Sequence, residues 1–171
     1  MKVLKWILII VVSVFILFIS AALIFRLTFS PKNMKAFSIN APSSKTKILL
    51  ATQDTKFKEQ VLKQLEQDYQ NKPVFFQIID VKDISTFDPG NWHKILIFNA
   101  IESDKISETG ENFVNQYSNT NKIILIATSG SGKWEKNNLN IDTLTVASKQ
   151  ENLNKVISYI EKHIDPIINT E

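Results

Sequence analysis

The chain has 171 residues, of which 20 are basic and 17 acidic, and it contains no cysteine. The lack of cysteine excludes disulfide bonds, thiol catalysis, cysteine-bound metal and a lipid-modified cysteine. Five of the basic residues flank an N-terminal apolar run, so residues 36–171 carry 15 basic groups against 17 acidic ones. Because this part holds no arginine and no basic stripe, we expect no nucleic-acid partner.

The apolar run extends from Trp6 to Phe25 without a single charge. Twenty helical residues at about 1.5 Å each span roughly 30 Å, the thickness of a bilayer's hydrocarbon core. We therefore expect one N-terminal transmembrane helix, with residues 1–26 as the membrane anchor. A cleavable secretory signal is the alternative, because Ser20-Ala21-Ala22 resembles a cleavage site. The run is longer than the usual signal core of about 7–15 residues, which favours the retained anchor.

Basic residues on either side of the run bear on orientation. Lys2 and Lys5 precede it, whereas Arg26, Lys32 and Lys35 follow it. The excess of positive charge after the run favours a single-pass protein in the cell membrane with its domain on the cytoplasmic side. These side chains also suit contacts with anionic lipid headgroups, so the lipid bilayer is the first expected partner.

Residues 27–45 contain two prolines and a Ser-Ser pair without sustained periodicity, and we interpret them as a juxtamembrane linker. From residue 46 onward, apolar runs typical of buried strands alternate with helical patterns. The predicted strands are Ile48–Ala51, Val74–Ile79, Lys94–Phe98, Lys122–Ala127 and a more polar edge strand over Ile141–Val146.

Three amphipathic helices are predicted between and after these strands. The first is marked by Phe57, Val61, Leu62, Leu65 and Tyr69, the second by Ile106, Phe113, Val114 and Tyr117, and the third by Leu153, Val156, Ile157, Ile160 and Ile164. Ser148 and Glu151 have the spacing of a capping box before the third helix, and Pro166 is expected just past its end. A helical turn is expected near residues 83–87, and a polar stretch over residues 133–140.

This order of elements predicts an α/β domain over residues 46–166, followed by a short tail over residues 167–171. Strands joined through helices favour a doubly wound parallel sheet of five strands. His93 and His163 lie far apart without carboxylates at ligand spacing, so no metal site is predicted.

The domain resembles the flavodoxin family over roughly residues 46–164. The resemblance rests on the segments KILLATQDTKFKEQVLKQL, NWHKILIFNA and NKIILIATSGSG, which correspond to the first, third and fourth strands with their loops. In that family a loop of the form Ser/Thr-x-Thr-Gly-x-Thr holds the flavin phosphate. Here it reads Thr52-Gln53-Asp54-Thr55-Lys56-Phe57: Thr52 matches the first position, Thr55 replaces the glycine, and Phe57 replaces the last hydroxyl, so the loop is degenerate.

The resemblance implies a binding site for FMN at the carboxyl ends of the strands. The expected cofactor-binding residues are Thr52, Gln53, Asp54, Thr55, Thr128, Ser129, Gly130 and Trp134, with Trp134 stacked on the flavin ring. For Trp134 the alternative is an aromatic side chain that packs over the sheet edge.

Three functions remain open from the sequence. The first is FMN-dependent electron transfer by a membrane-anchored domain with a membrane or redox protein as partner. The second is a degenerate, cofactor-free module that binds a protein partner at the membrane. The third is binding of a small ligand on the same scaffold. Whether the protein is an enzyme depends on which of these holds.

Overall fold

A computed structural model describes residues 2–29, 32–134 and 141–169. Six residues of the predicted polar stretch, 135–140, and the last two of the predicted tail lie outside the described residues. Contacts within the chain divide it into two units, Met1–Pro31 and Lys32–Glu171. The first unit is one apolar helix and the second is an α/β domain.

The helix of the first unit, α1, extends over Lys2–Phe29. Its stretch Lys5–Ile24 has a mean hydropathy of 3.3, and none of it is buried within the protein. An apolar helix without protein around it needs an apolar environment, because exposing such side chains to water is unfavourable. The helix is thus long and apolar enough to cross a membrane, a property it shares with N-terminal signal sequences.

The second unit is built on a sheet of six strands in the order β1-β3-β2-β4-β5-β6. Neighbouring strands from β3 to β6 run parallel, whereas the short β1 pairs antiparallel with β3. The register places Leu50 opposite Leu96 at the centre of the sheet. The strands are β1 Phe37–Ile39, β2 Thr46–Thr52, β3 Val74–Asp80, β4 Lys94–Ala100, β5 Ile123–Ser129 and β6 Asp142–Ala147.

Helices cover both faces of this sheet. On one face α2, Lys56–Tyr69, and α4, Leu153–Ile168, pack over alternate strand residues such as Leu50. On the other face α3, Glu108–Tyr117, and a 3-10 helix, Val81–Thr86, pack over the intervening residues, including Leu49. Successive strand residues point to opposite faces, so burial of both faces explains why the strands are continuous apolar runs.

The sheet has six strands rather than the predicted five, because β1 lies inside the segment predicted as a linker. Three residues are too few to give a strand pattern, and only Ile39 of β1 is buried. Asn40, which adopts a positive φ of 64°, follows β1 at once. Its side-chain amide donates hydrogen bonds of 2.7–3.1 Å to the carbonyls of Tyr69, Lys72 and Val74. The segment thus satisfies carbonyls at the end of α2.

Two predictions about the last helix are wrong. The capping box does not form: a 3-10 helix, Gln150–Asn152, precedes α4, and no side chain caps either start. Pro166 lies inside α4 rather than beyond it. A proline near a helix end removes only one main-chain hydrogen bond, and the preceding Asp165 is held by the Tyr69 hydroxyl at 2.8 Å. The predicted turn near residues 83–87 corresponds to the 3-10 helix Val81–Thr86.

Among the residues that the structure describes, both cores are built from Met34 onward, so a fragment of residues 32–171 contains these cores. In this fragment we expect Leu50→Ala to lower the free energy of unfolding by about 2–5 kcal/mol, because Leu50 is fully buried and its removal leaves a cavity. Urea denaturation measures the change. The control Gln60→Ala on the exposed side of α2 should stay within about 0.5 kcal/mol of wild type. Equal stabilities of the two variants would contradict this core.

Candidate functional site

The carboxyl ends of the parallel strands are where ligands bind in open α/β sheets. Thr52 ends β2, and Thr128 and Ser129 end β5. The Thr52 hydroxyl donates to the Phe98 carbonyl at 2.9 Å, and the Thr128 hydroxyl donates to the Asn99 carbonyl at 3.4 Å. The structure therefore brings these predicted residues to one edge, but the two threonine hydroxyls are buried and bind the main chain of β4.

Gln53 begins the loop after β2 and turns its side chain into the protein. Its Nε2 donates to Asn99 Oδ1 at 3.1 Å, and its Oε1 accepts from the Ala100 N–H at 3.0 Å and from Lys58 Nζ. Thr55 is the N-cap of α2, with its hydroxyl oxygen accepting from the Lys58 N–H at 3.4 Å. The Gln53 side chain thus links the loop to β4 and α2, and the Thr55 side chain caps α2.

Lys58 is a buried ionisable residue at this edge, and the sequence analysis did not identify it as a site residue. It lies on the buried face of α2 and is 1% exposed, and its Nζ donates to Gln53 Oε1 and to the Phe98 carbonyl at 2.8 Å. Burial lowers the pKa of Lys58 to about 7, although attraction to Asp80 and Glu102 works in the opposite direction.

Asn99 and Ser107 complete a hydrogen-bonded group with Gln53 and Lys58, which we call the edge network. Asn99 Oδ1 also accepts from the Ser107 hydroxyl at 2.8 Å. Ser107 is the N-cap of α3, where its oxygen accepts from the Gly110 N–H at 3.3 Å. The edge network therefore joins β2, α2, β4 and the start of α3 through side-chain hydrogen bonds at the carboxyl ends of β2 and β4.

The loop after β5 is also held by its own hydrogen bonds. Ser129 Oγ accepts from the Gly132 N–H at 2.9 Å. Gly132 has a φ of 71°, and a Cβ there would lie 2.6 Å from the Ala147 nitrogen, so only glycine fits. Gly130, by contrast, is exposed with open space around it. Trp134 donates its indole N–H to the Asp104 carbonyl at 3.0 Å, and its ring packs against the core on the α3 face.

Residues 32–34, which we call the strap, lie against the loop after β2 and the end of β3. Lys32 and Asp54 exchange two main-chain hydrogen bonds of 3.0 and 2.9 Å. The Met34 N–H donates to Asp80 Oδ2 at 2.6 Å, and Lys82 Nζ donates to Asn33 Oδ1 at 2.6 Å. Asp54 is one of the predicted cofactor-binding residues, and its main-chain N–H and carbonyl are thus bonded to the strap.

The free energy that holds the strap is small. The two main-chain hydrogen bonds to Asp54 contribute about 0.5–1.5 kcal/mol each, and the one to the Asp80 carboxylate contributes about 1.5–3 kcal/mol. The hydrogen bond from Lys82 Nζ to Asn33 lies on the exposed surface and adds little to this sum. Ordering three residues costs about 1–2 kcal/mol each. Only Met34 of the strap packs on the core, and it does so while partly exposed. Attraction and ordering cost are therefore of similar size.

The loop after β2 does not fit the phosphate of a flavin. A phosphate site needs free N–H groups and hydroxyls at a helix start. Here the Asp54 N–H is bonded to Lys32 and the Thr55 hydroxyl to the Lys58 N–H. Phe57, at the position of the last hydroxyl, is buried with its ring edge-to-face against Phe98. The Asp54 carboxylate adds a charge of the wrong sign.

Two other features bear on function among the residues that the structure describes: the possible metal ligands and a surface hollow. No group of three or more His, Asp or Glu side chains there could hold a metal ion. A shallow hollow of about 280 Å³ lies beside α3. It is lined by Ser85, Glu108, Thr109, Asn112, Phe113, Gln116 and Tyr117, and it shares no residue with the edge network.

Comparison with known proteins adds no relative. No protein-family model matches the chain, and no curated protein matches it significantly. The resemblance to flavodoxins therefore rests on the sequence segments and the strand arrangement described above.

The buried amine makes stability depend on pH. An unfolded lysine titrates near 10.5 whereas folded Lys58 has a pKa of about 7, so between these values the unfolded state binds more protons. The free energy of unfolding should therefore rise with pH across this range, by at most about 1.4 kcal/mol per pH unit. Lys58→Met should lose this rise, and the control Lys63→Met, exposed on α2, should keep it. Urea denaturation at several pH values measures both; equal pH slopes for wild type and Lys58→Met would contradict the burial.

Proposed function

We propose that the protein is a membrane-anchored, flavodoxin-like module that binds a partner protein at the membrane and does not use FMN. The edge network carries this proposal. In it, Gln53 and Lys58 occupy the crevice between β2 and β4, where a ligand of this fold class would lie.

The arrangement of the strands supports the flavodoxin-like part of the proposal. If β1 is set aside, the five parallel strands follow the order β3-β2-β4-β5-β6. Counted along the chain this is 2-1-3-4-5, the order of flavodoxin-like doubly wound sheets. Helices on both faces agree with that class. In this order the switch point lies between β2 and β4, the place that the edge network fills.

The shape and chemistry of the edge favour a protein partner over a small ligand. Small-molecule sites are concave and enclose most of their ligand. At the switch point the protein's own side chains take up this space, and the exposed groups around it belong to loops, such as residues 102–105 and 130–133. Ser103 and Asp104 have φ values of 50° and 60° in the first of these loops. Loops on a rigid sheet are common binding elements.

FMN-dependent electron transfer is the rival function and would require several rearrangements. The Asp54 N–H would have to leave Lys32, and Trp134 would have to give up its hydrogen bond to Asp104 to stack on a flavin. Each lost hydrogen bond to a charged phosphate weakens affinity by roughly one to two decades. The rival therefore predicts a structure different from this one around the loop after β2.

We expect weak or no FMN binding by the purified protein, with a dissociation constant above about 100 μM, because the Asp54 N–H is already bonded within the protein and Phe57 replaces the last hydroxyl of the loop. Titration with FMN, followed by flavin and tryptophan fluorescence, measures the affinity. Submicromolar binding that is lost in Thr52→Val or Trp134→Ala would overturn the cofactor-free proposal. Ser158→Ala, on the exposed side of α4, is the control for either variant.

We also expect the full-length protein to remain in the membrane pellet through carbonate and high-salt washes, because α1 is apolar throughout Lys5–Ile24. A fragment of residues 32–171 should be soluble. Release of the full-length protein by salt alone would contradict the anchor. A mature chain that begins near Leu23 would instead identify a cleaved signal sequence.

A further inference from the structure

We propose that the strap, residues 32–34, is a releasable closing element: it opens locally while the rest of the domain stays folded, and its opening uncovers the Asp54 main chain and the Asp80 carboxylate. The inference rests on the proposed function in one respect, since the uncovered groups belong to the edge to which we assign the partner.

The contacts of the strap are few: hydrogen bonds at its two ends and one exposed hydrogen bond from Lys82 Nζ to its middle residue, Asn33. At one end Lys32 pairs with Asp54, and at the other the Met34 N–H binds Asp80. Lys32 and Asn33 are exposed, and so is Lys35, the next residue. The strap therefore buries little surface. Because the free energy of its hydrogen bonds is similar to the entropy cost of ordering it, its open and closed states have similar free energies.

Release of the strap need not spread into the domain. Beyond the strap, β1 pairs with β3, and the Asn40 amide binds three carbonyls between the end of α2 and the start of β3. Asp80 also keeps a partner when the strap leaves, because its Oδ1 accepts from the Lys82 N–H at 2.9 Å. The Asp80 carboxylate thus keeps a hydrogen bond when the strap opens, and the opening can stop before β1.

The strap also continues directly from the segment that carries α1. Phe29 ends that helix, and Lys32 is the third residue after it. Lys32 is therefore the first residue of the second unit, and its pairing with Asp54 is the first contact along the chain that the structure describes for that unit.

A single disulfide can lock the strap. Lys32 and Asp54 form a hydrogen-bonded antiparallel pair, for which the Cα atoms lie about 5.5 Å apart, within the range that a disulfide spans. The chain has no other cysteine, so the double variant Lys32→Cys/Asp54→Cys can form only this bond within one molecule.

The experiment is hydrogen exchange on the full-length chain in lipid nanodiscs, without FMN or partner. We expect the Met34 and Asp54 amides to exchange at least about 100-fold faster than the Leu50 amide of β2. Local opening of the strap requires less free energy than the global unfolding that exposes Leu50. Oxidised Lys32→Cys/Asp54→Cys should slow Met34 exchange by at least about tenfold, and reduction should restore it. Lys82→Met should speed exchange of Met34 and Asp54 about fivefold, and the control Lys63→Met should leave it unchanged.

Three results would overturn the proposal. Protection of Met34 and Asp54 equal to that of Leu50 would mean that the strap opens only when the domain unfolds. A change in Lys82→Met that is as large at Leu50 as at Met34 would show global destabilisation. Failure of the two cysteines to couple on oxidation would place the strap away from Asp54. None of these readouts depends on FMN affinity, so the strap and the proposed function fail separately.

Discussion

The burial of the Lys58 amine is the constraint on which the carboxyl edge depends. An ammonium or amine in the interior is costly unless its hydrogen-bonding groups are satisfied. The Phe98 carbonyl and Gln53 Oε1 supply the two acceptors, and Gln53 can do so only with its side chain turned inward. Asn99 and Ser107 then satisfy the other groups around it. One residue of α2 thereby sets the conformation of the loop after β2, the end of β4 and the start of α3.

The edge network also bears on the proposed flavin-free function of this mostly parallel α/β sheet. In such folds the crevice at the switch point is normally open to a ligand. Here the lysine and glutamine take that space, and the strap pairs with the Asp54 main chain that would face a phosphate. The surface that remains is made of loops on a rigid sheet, and this surface suits contact with another protein.

Much of the fold was predictable from the sequence, because strands that are buried on both faces of a sheet are continuous apolar runs. The apolar strands and the helix faces were located by periodicity, and residues inside the predicted strands and helix faces, such as Leu50, Leu62 and Ile157, are buried. β1 was missed because three residues with one buried side chain carry no pattern. The capping box failed because its spacing is a local signal, whereas α4 begins after a 3-10 turn whose Asn152 side chain binds the Ala147 carbonyl.

The site was only partly predictable. The sequence located the loops at the edge, yet it gave no sign that Gln53 turns inward or that the strap pairs with Asp54, since both depend on contacts distant in the chain. Lys58 was detectable: with Val61, Leu62 and Leu65 it occupies positions i, i+3, i+4 and i+7 of the buried face. A lysine on an apolar face is a signal of a buried polar group.

The central claim is that the edge network, and not a flavin, occupies the switch point. The most direct test is the visible absorbance spectrum of the full-length protein, purified in mild detergent without added cofactor. The account predicts no flavin absorption band. A flavin band present in near-stoichiometric amount, and retained through gel filtration, would contradict it.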